Sequence, residues 1–367
     1  MNNLLPARLQ PGIFTKKRIL GAVITLFLYP YLYSASLQAQ DLGAMPVEPS
    51  SQGTPVFGQT PAQPSSADTA VYRQAIEAIE GSEGAYAASL SESLLGLGLA
   101  LQAQGQHGEA VRHFKRGVHL ARINDGLYSG NQIPLLQGEI ASHIAQGDYS
   151  SADERQRYLY RVQRRAMRNG EGLASALMDQ ASWQFQAYRI GLGVEPHGRL
   201  VSMQDLYVQA LAEVMETEGS ASPQLRPPLE GLLRTQYLIA DAEPPAQAQS
   251  MGGGESWASV QRRHMFNRAR LQSYEYGQTI ISTMYNMEKD LAGGEAASVG
   301  SAEALAMLGD WHFYHDRRQA AQAAYTRAFE ELATLDDAKE QTEAIFGTPV
   351  ALPNIDELHP LPLSSEA

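Results

Sequence analysis

Residues 308–328 read LGDWHFYHDRRQAAQAAYTRA, and residues 97–117 read LGLALQAQGQHGEAVRHFKRG. Laid one on the other, the stretches share Leu308-Gly309 with Leu97-Gly98, Ala321 with Ala110, the aromatic Tyr325 with Phe114, and the small Ala328 with Gly117. Steps of three and four residues stay on one face of a helix. Ala321, Tyr325 and Ala328 therefore share a face, as do Ala110, Phe114 and Gly117. Where side chains are this small two helix backbones can approach closely, and the aromatic plugs the space beside them. Each stretch reads as a helix, a turn and a helix.

A longer period joins further units to the first. Gly105 in Ala-Gln-Gly-Gln and Gly147 in Ala-Gln-Gly-Asp lie 42 positions apart, as do Gly84-Ala85-Tyr86 and Gly126-Leu127-Tyr128. Gly147 and Gly170 are placed as left-handed helix stops, and Ser129 with Gln132 reads as a capping box. The pattern predicts a helix at 69–80, then pairs at 85–104 with 107–123, 129–146 with 150–169, and 172–192 with 202–218. Further helices are expected at 222–241, with Pro227 and Pro228 in the first turn, and at 257–290. A final pair is expected at 300–315 with 317–335. No strand-like alternation persists anywhere.

These steps resemble the tetratricopeptide repeat, a 34-residue helix-turn-helix. The 42-residue units are similar to the extended repeats of kinesin light chain. The match is specific at the two quoted stretches and degenerate between them, and in the C-terminal unit His312 and Ala333 depart from the usual aromatic and proline. The resemblance implies an all-α, right-handed superhelical solenoid whose first helices line a concave groove holding a partner protein. It places Glu92, Leu99, Gln102, Asp310, Phe313 and Tyr314 toward that groove.

The N-terminus reads as an address. Lys16, Lys17 and Arg18 precede the apolar run Ile19–Tyr29, and Ser34-Ala35-Ser36-Leu37-Gln38-Ala39 supplies small residues for cleavage. That order makes 1–39 a secretory signal peptide, shorter in its apolar core than the roughly 20 residues a spanning helix needs. The expected organisation continues with a Pro/Ser/Gln-rich tether at 40–67, helical repeats at 68–241, a linker at 242–255, helices at 256–335 and an extended, Pro-containing tail at 336–367. The body of the protein is expected in the periplasm. Membrane contact is expected only where the N-terminal segment stays uncleaved as an anchor.

Composition narrows the chemistry. The chain has no cysteine, which excludes disulfides, thiolate metal sites and a cysteine nucleophile. Its formal net charge is -12, a balance that repels nucleic acid and anionic lipid. The histidines are scattered, and no His-Glu-x-x-His pattern is present. His312 reads as a packed core residue. Gly252-Gly253-Gly254 follows a Pro-rich loop rather than a strand and reads as linker, and Gly96-x-Gly98 as helix packing. No catalytic, cofactor or metal residue is assigned.

One charged feature stands out in so acidic a chain. Arg157, Arg161, Arg165 and Arg168 form a stripe along one helix that also carries Arg155 and Arg164, either a solvated face or a site for an acidic partner. The expected function is non-catalytic binding of another protein as an envelope scaffold or assembly factor. A membrane-tethered accessory subunit, and an enzyme with its site among residues 172–241, stay open as alternatives.

Overall fold

The computed structural model describes residues 66–167, 171–193, 196–243, 257–294, 296–335 and 337–346. The expected signal peptide, nearly all of the tether and linker, Gly170, Arg168, Gly252-Gly253-Gly254 and the tail beyond 346 lie outside the described residues. Of these residues, 66–217 and 224–277 belong to one compact unit, and 218–223 with 278–346 to a second.

The described residues are helical and contain no strand. The first unit holds α1 (Ser66–Ser82), α2 (Leu90–Ala103), α3 (His107–Asp125), α4 (Ile133–Ala145), α5 (Tyr149–Ala166), α6 (Glu171–Arg189), α7 (Pro196–Glu218, to residue 217) and α8 (Arg226–Asp241). The unit boundary falls within α9 (Trp257–Leu291). The second unit holds α10 (Val299–Tyr314), α11 (Arg318–Leu332) and α12 (Ala338–Phe346). Consecutive helices pack as pairs: α2 on α3, α4 on α5, and α10 on α11.

The turns inside the pairs share one design. Gly105 and Gly147 both adopt φ +73°. In each turn the third residue past the helix bonds back to the carbonyl five residues before it (Gln106 N to Leu101 O, 2.9 Å; Asp148 N to His143 O, 2.9 Å). The same bond recurs from Leu192 N to Ala187 O at 2.8 Å and from Arg317 N to His312 O at 2.8 Å. This left-handed stop satisfies carbonyls that the ended helix leaves open. In the last pair the residue is Asp316, at φ +57° without being glycine.

The small residues do what their spacing predicts. A Cβ on Gly98 of α2 would stand 2.4 Å from the ring of Phe114 on α3, and one on Gly309 of α10 would stand 2.3 Å from Tyr325 on α11. Contacts that short do not exist between real atoms, so these backbones close because the side chain is absent. Successive pairs use the same device: a Cβ on Gly138 of α4 would stand 2.5 Å from Phe114, and one on Gly117 of α3 2.5 Å from Leu135. Gly96 is held against Tyr72 of α1 in the same way. Phe114 is fully buried in a continuous core with Leu94, Leu97, Leu101, Leu136 and Val162. A second core gathers Leu200, Ile239 and Phe266 from α7, α8 and α9.

Four local expectations are corrected. Helix α2 starts at Leu90 rather than 85, because Gly84 turns at φ +94° and short turn bonds, Ala87 N to Gly84 O and Leu90 N to Ala87 O, occupy the interval. Helix α7 starts at Pro196 rather than 202, since proline is preorganised for a first turn. Ser129 caps a short 3-10 turn through Asn131 N, and Gln132 reaches back to the carbonyls of Gly126 and Leu127 instead of closing a capping box. Ala338–Phe346 is a helix rather than extended tail; its Ala-Lys-Glu-Gln-Thr-Glu-Ala run favours helix before any proline arrives.

Candidate interaction surfaces

The six residues expected along the first helices divide into exposed and committed groups. On α2, Glu92 is exposed and Leu99 keeps 48% of its surface in solvent. Gln102, one turn on, is spent internally: its amide donates to Gly138 O and to Ser142 Oγ, both at 2.8 Å. Those bonds lay α2 directly beside α4, joining the first helices of successive pairs.

On α10 the division repeats. Phe313 is 56% exposed. Asp310 accepts the Tyr325 hydroxyl at 2.7 Å, so it braces its own pair. Burial raises the Asp310 carboxyl above its ordinary range, against the lowering effect of that bond. Burial and the facing Asp310 push the Tyr325 hydroxyl up strongly. Tyr314 is half-buried, with its ring 6.1 Å from Trp311 and 5.1 Å from His315. His312 is buried as expected, and burial and then Arg317 lower its pKa. Leu99 and Phe313 are thus the exposed apolar side chains of the set, each within its own unit.

The arginine stripe on α5 is neither simply solvated nor simply ion-paired. Arg157 stands 3.4 Å from Asp153. Arg161 lies over the ring of Tyr158 at 5.5 Å and Arg165 over Tyr128 at 5.6 Å. Arg164 covers Tyr160 at 5.7 Å, and Arg122, from the end of α3, shares Tyr158 at 6.0 Å. Sequence reading missed the aromatic half of this surface. Its signal was present: Tyr158 and Tyr160 precede Arg161 and Arg164 by three and four residues, a spacing that brings side chains together on a helix.

Two buried carboxylates organise the helices beneath. Asp153 accepts two bonds from Arg199 at 3.1 Å and one from Trp183 Nε1 at 2.8 Å, tying α5 to α6 and α7. Burial alone would raise Asp153, but the Arg199 and Trp183 bonds and the charges of Arg199 and Arg157 outweigh it and hold the carboxyl below its ordinary value. Glu139 on α4 is fully buried, with Arg155 Nε at 2.8 Å and Lys115 and His143 each at 3.8 Å. There burial wins and raises the carboxyl, with Arg155 opposing it most.

The middle helices reuse the aromatic plug in a form that the sequence concealed. Tyr207 on α7 is fully buried, and a Cβ on Gly231 of α8 would stand 2.4 Å from its ring. Met203, Tyr207 and Ala210 repeat the steps of Ala110, Phe114 and Gly117. At the distance of Leu97-Gly98 stand Ile190-Gly191, but Gly191 turns at φ +63° just past the end of α6 instead of packing within a helix, so Gly231 takes the small-residue role from the other side.

The class these observations define is an all-α protein of stacked helix pairs, closed by small residues set against aromatic rings. No protein-family model and no curated protein matches the chain. Among solved structures the chain is similar to one titled as BtubC (BKLC) from P. vanneervenii, at 13% identity and a TM-score of 0.41, over 73% of this chain and 90% of that one.

Proposed function

We propose that the chain is a non-catalytic, protein-binding scaffold of the tetratricopeptide type, exported to the bacterial cell envelope, that holds a partner segment on the first helices of its repeats. The observation that carries this reading is the contrast along α2: Leu97 and Leu101 are fully buried, Gln102 is spent on α4, and Leu99 between them stands 48% exposed. Nothing in the folding of α2 needs an apolar side chain there, whereas a docked partner does, because exposed apolar anchors on a rigid frame bind at small entropic cost. Phe313 on α10 repeats the contrast beside buried Trp311 and His312. Export rests on the order of charge, apolar core and small residues in 1–39.

The test is affinity capture from envelope extracts with the full chain, set against Leu99→Glu and Phe313→Ala. The reading expects capture to fall with Leu99→Glu for the first unit and with Phe313→Ala for the second, each unit read by itself and each variant melting at an unchanged temperature. Equal capture by all three overturns it. N-terminal sequencing of the exported protein separates a cleaved periplasmic form, which begins near residue 40, from a tethered one that keeps residues 1–39.

A further inference from the structure

The second helices carry a surface of a different chemistry. Arg157, Arg161, Arg164 and Arg165 on α5 and Arg122 on α3 are all exposed. Among the described residues only Arg157 has a carboxylate in reach, Asp153 at 3.4 Å, and Arg199 and Trp183 already hold that carboxylate. Arg122, Arg161 and Arg165 lie over the rings of Tyr158 and Tyr128 at 5.5 to 6.0 Å, and Arg164 lies over Tyr160 at 5.7 Å and hydrogen-bonds its hydroxyl. Tyr158 is itself fixed, its hydroxyl donating to Gln132 Oε1 at 2.8 Å.

A guanidinium laid over a ring is held in part by it, while its fork of N–H donors stays available to a second ligand. Such a fork suits a bidentate carboxylate, and part of the ordering cost of binding has already been met. Beside the forks, Ile123, Leu127 and Tyr128 keep 52%, 48% and 37% of their surface exposed. Cationic forks next to exposed apolar groups call for a ligand that carries both carboxylates and apolar side chains.

We propose that this surface, formed by α3, α5 and the connection after α3, docks an acidic, partly apolar segment of a partner protein, independently of the first-helix surface. The carboxylates take the forks of Arg161 and Arg165, and the apolar side chains cover Ile123 and Leu127. An anionic bilayer fits less well. A fluid layer of headgroups makes no use of oriented forks, and it faces the whole of a molecule whose net charge is -12. A short segment seats within one screening length of the patch, about 8–10 Å at physiological salt, so the remaining acidic surface opposes it little.

The experiment measures anisotropy of short labelled peptides alternating glutamate with leucine, against the same peptides with glutamine, and co-sedimentation with phosphatidylglycerol–phosphatidylcholine vesicles. The glutamate peptide is expected to bind, more weakly as salt rises, and Arg161→Glu with Arg165→Glu to weaken it about tenfold or more. Arg161→Lys with Arg165→Lys keeps the charge but not the fork, and a loss of several-fold is expected; with Tyr128→Ala it carries the test if the reversed variant fails to fold. Equal binding of the glutamine peptide, no loss in either double variant, or binding to the vesicles in place of the peptide would overturn the proposal.

Discussion

The ring of Phe114 occupies the space that a side chain on Gly138 would need, with only 2.5 Å between the ring and the place of a Cβ. Gly98 closes on the same ring from its own pair at 2.4 Å. One aromatic residue therefore sets the distance between α2 and α3 and again between α3 and α4. Phe114 is fully buried and has no free side toward which to retreat. Replacing glycine by alanine in an exposed helix interior gains about 1 kcal/mol; here overpacking, at about 1–3 kcal/mol, reverses the sign. Gly138→Ala is expected to lower the melting temperature. Adding Phe114→Leu is expected to cost less than the two single effects summed, since the smaller side chain relieves the clash. Additive losses would show that the ring does not set the spacing.

Asp153 makes the packing of α5, α6 and α7 sensitive to acid. Its folded carboxyl lies below its ordinary value, so the unfolded chain takes up the proton first as pH falls. Its contribution is complete above the ordinary carboxyl value of about 3.9 and is lost as pH falls through the folded value. Asp153→Asn leaves partly buried Arg199 without its countercharge and is expected to cost about 2 kcal/mol at neutral pH. The variant should also show a shallower loss of stability than the parent below about pH 4. Parallel acid-unfolding curves would contradict this.

The left-handed turns give a prediction of opposite sign at equivalent places. Gly105→Ala puts a Cβ on a residue at φ +73° and is expected to destabilise by about 1 kcal/mol. Asp316, at φ +57°, already bears that strain. Asp316→Gly is expected to stabilise by about 0.5 kcal/mol, the relief being partly offset by glycine's greater freedom when unfolded. Urea unfolding reads both; destabilisation by Asp316→Gly would remove the equivalence of the turns.

Tyr325 and Asp310 test whether a side chain expected to face a partner instead braces its own pair. Tyr325→Phe keeps the ring against Gly309 but removes the hydroxyl that Asp310 accepts at 2.7 Å. The partly buried carboxylate then lacks its donor, at about 1–2 kcal/mol, and Asp310→Asn in the same background is expected to recover part of that loss. No change in stability with Tyr325→Phe would return Asp310 to the binding surface.

Much of the frame was legible because it depends on glycine and alanine, whose absence of bulk leaves few alternatives. Gly98, Gly117, Gly309, Ala110, Ala321 and Ala328 announce close backbone contact, and the 42-residue step from Gly105 to Gly147 is repeated in the turn geometry itself. What stayed hidden was polar or out of pattern. Glu139 lies 42 positions after Leu97 and is as fully buried, yet a glutamate reads as surface until Arg155 and Lys115 are seen beside it. Gln102 and Asp310 read as groove residues because sequence gives their helix face but not the neighbour that takes their hydrogen bonds. The charge stripe was visible from its spacing, whereas Tyr128 and Arg122, which complete the surface, come from another helix and a loop.

The stacking of first helices is tested most directly by a double-mutant cycle on Gln102 of α2 and Ser142 of α4, whose side chains meet at 2.8 Å, with Ser142 fully buried. Gln102→Ala, Ser142→Ala and the double variant are compared by urea unfolding. The account predicts that the two losses are not additive, with a coupling of about 0.5–1.5 kcal/mol. Strictly additive losses would mean that the two side chains do not meet and that α2 and α4 do not lie side by side, and the stacked array would have to be given up.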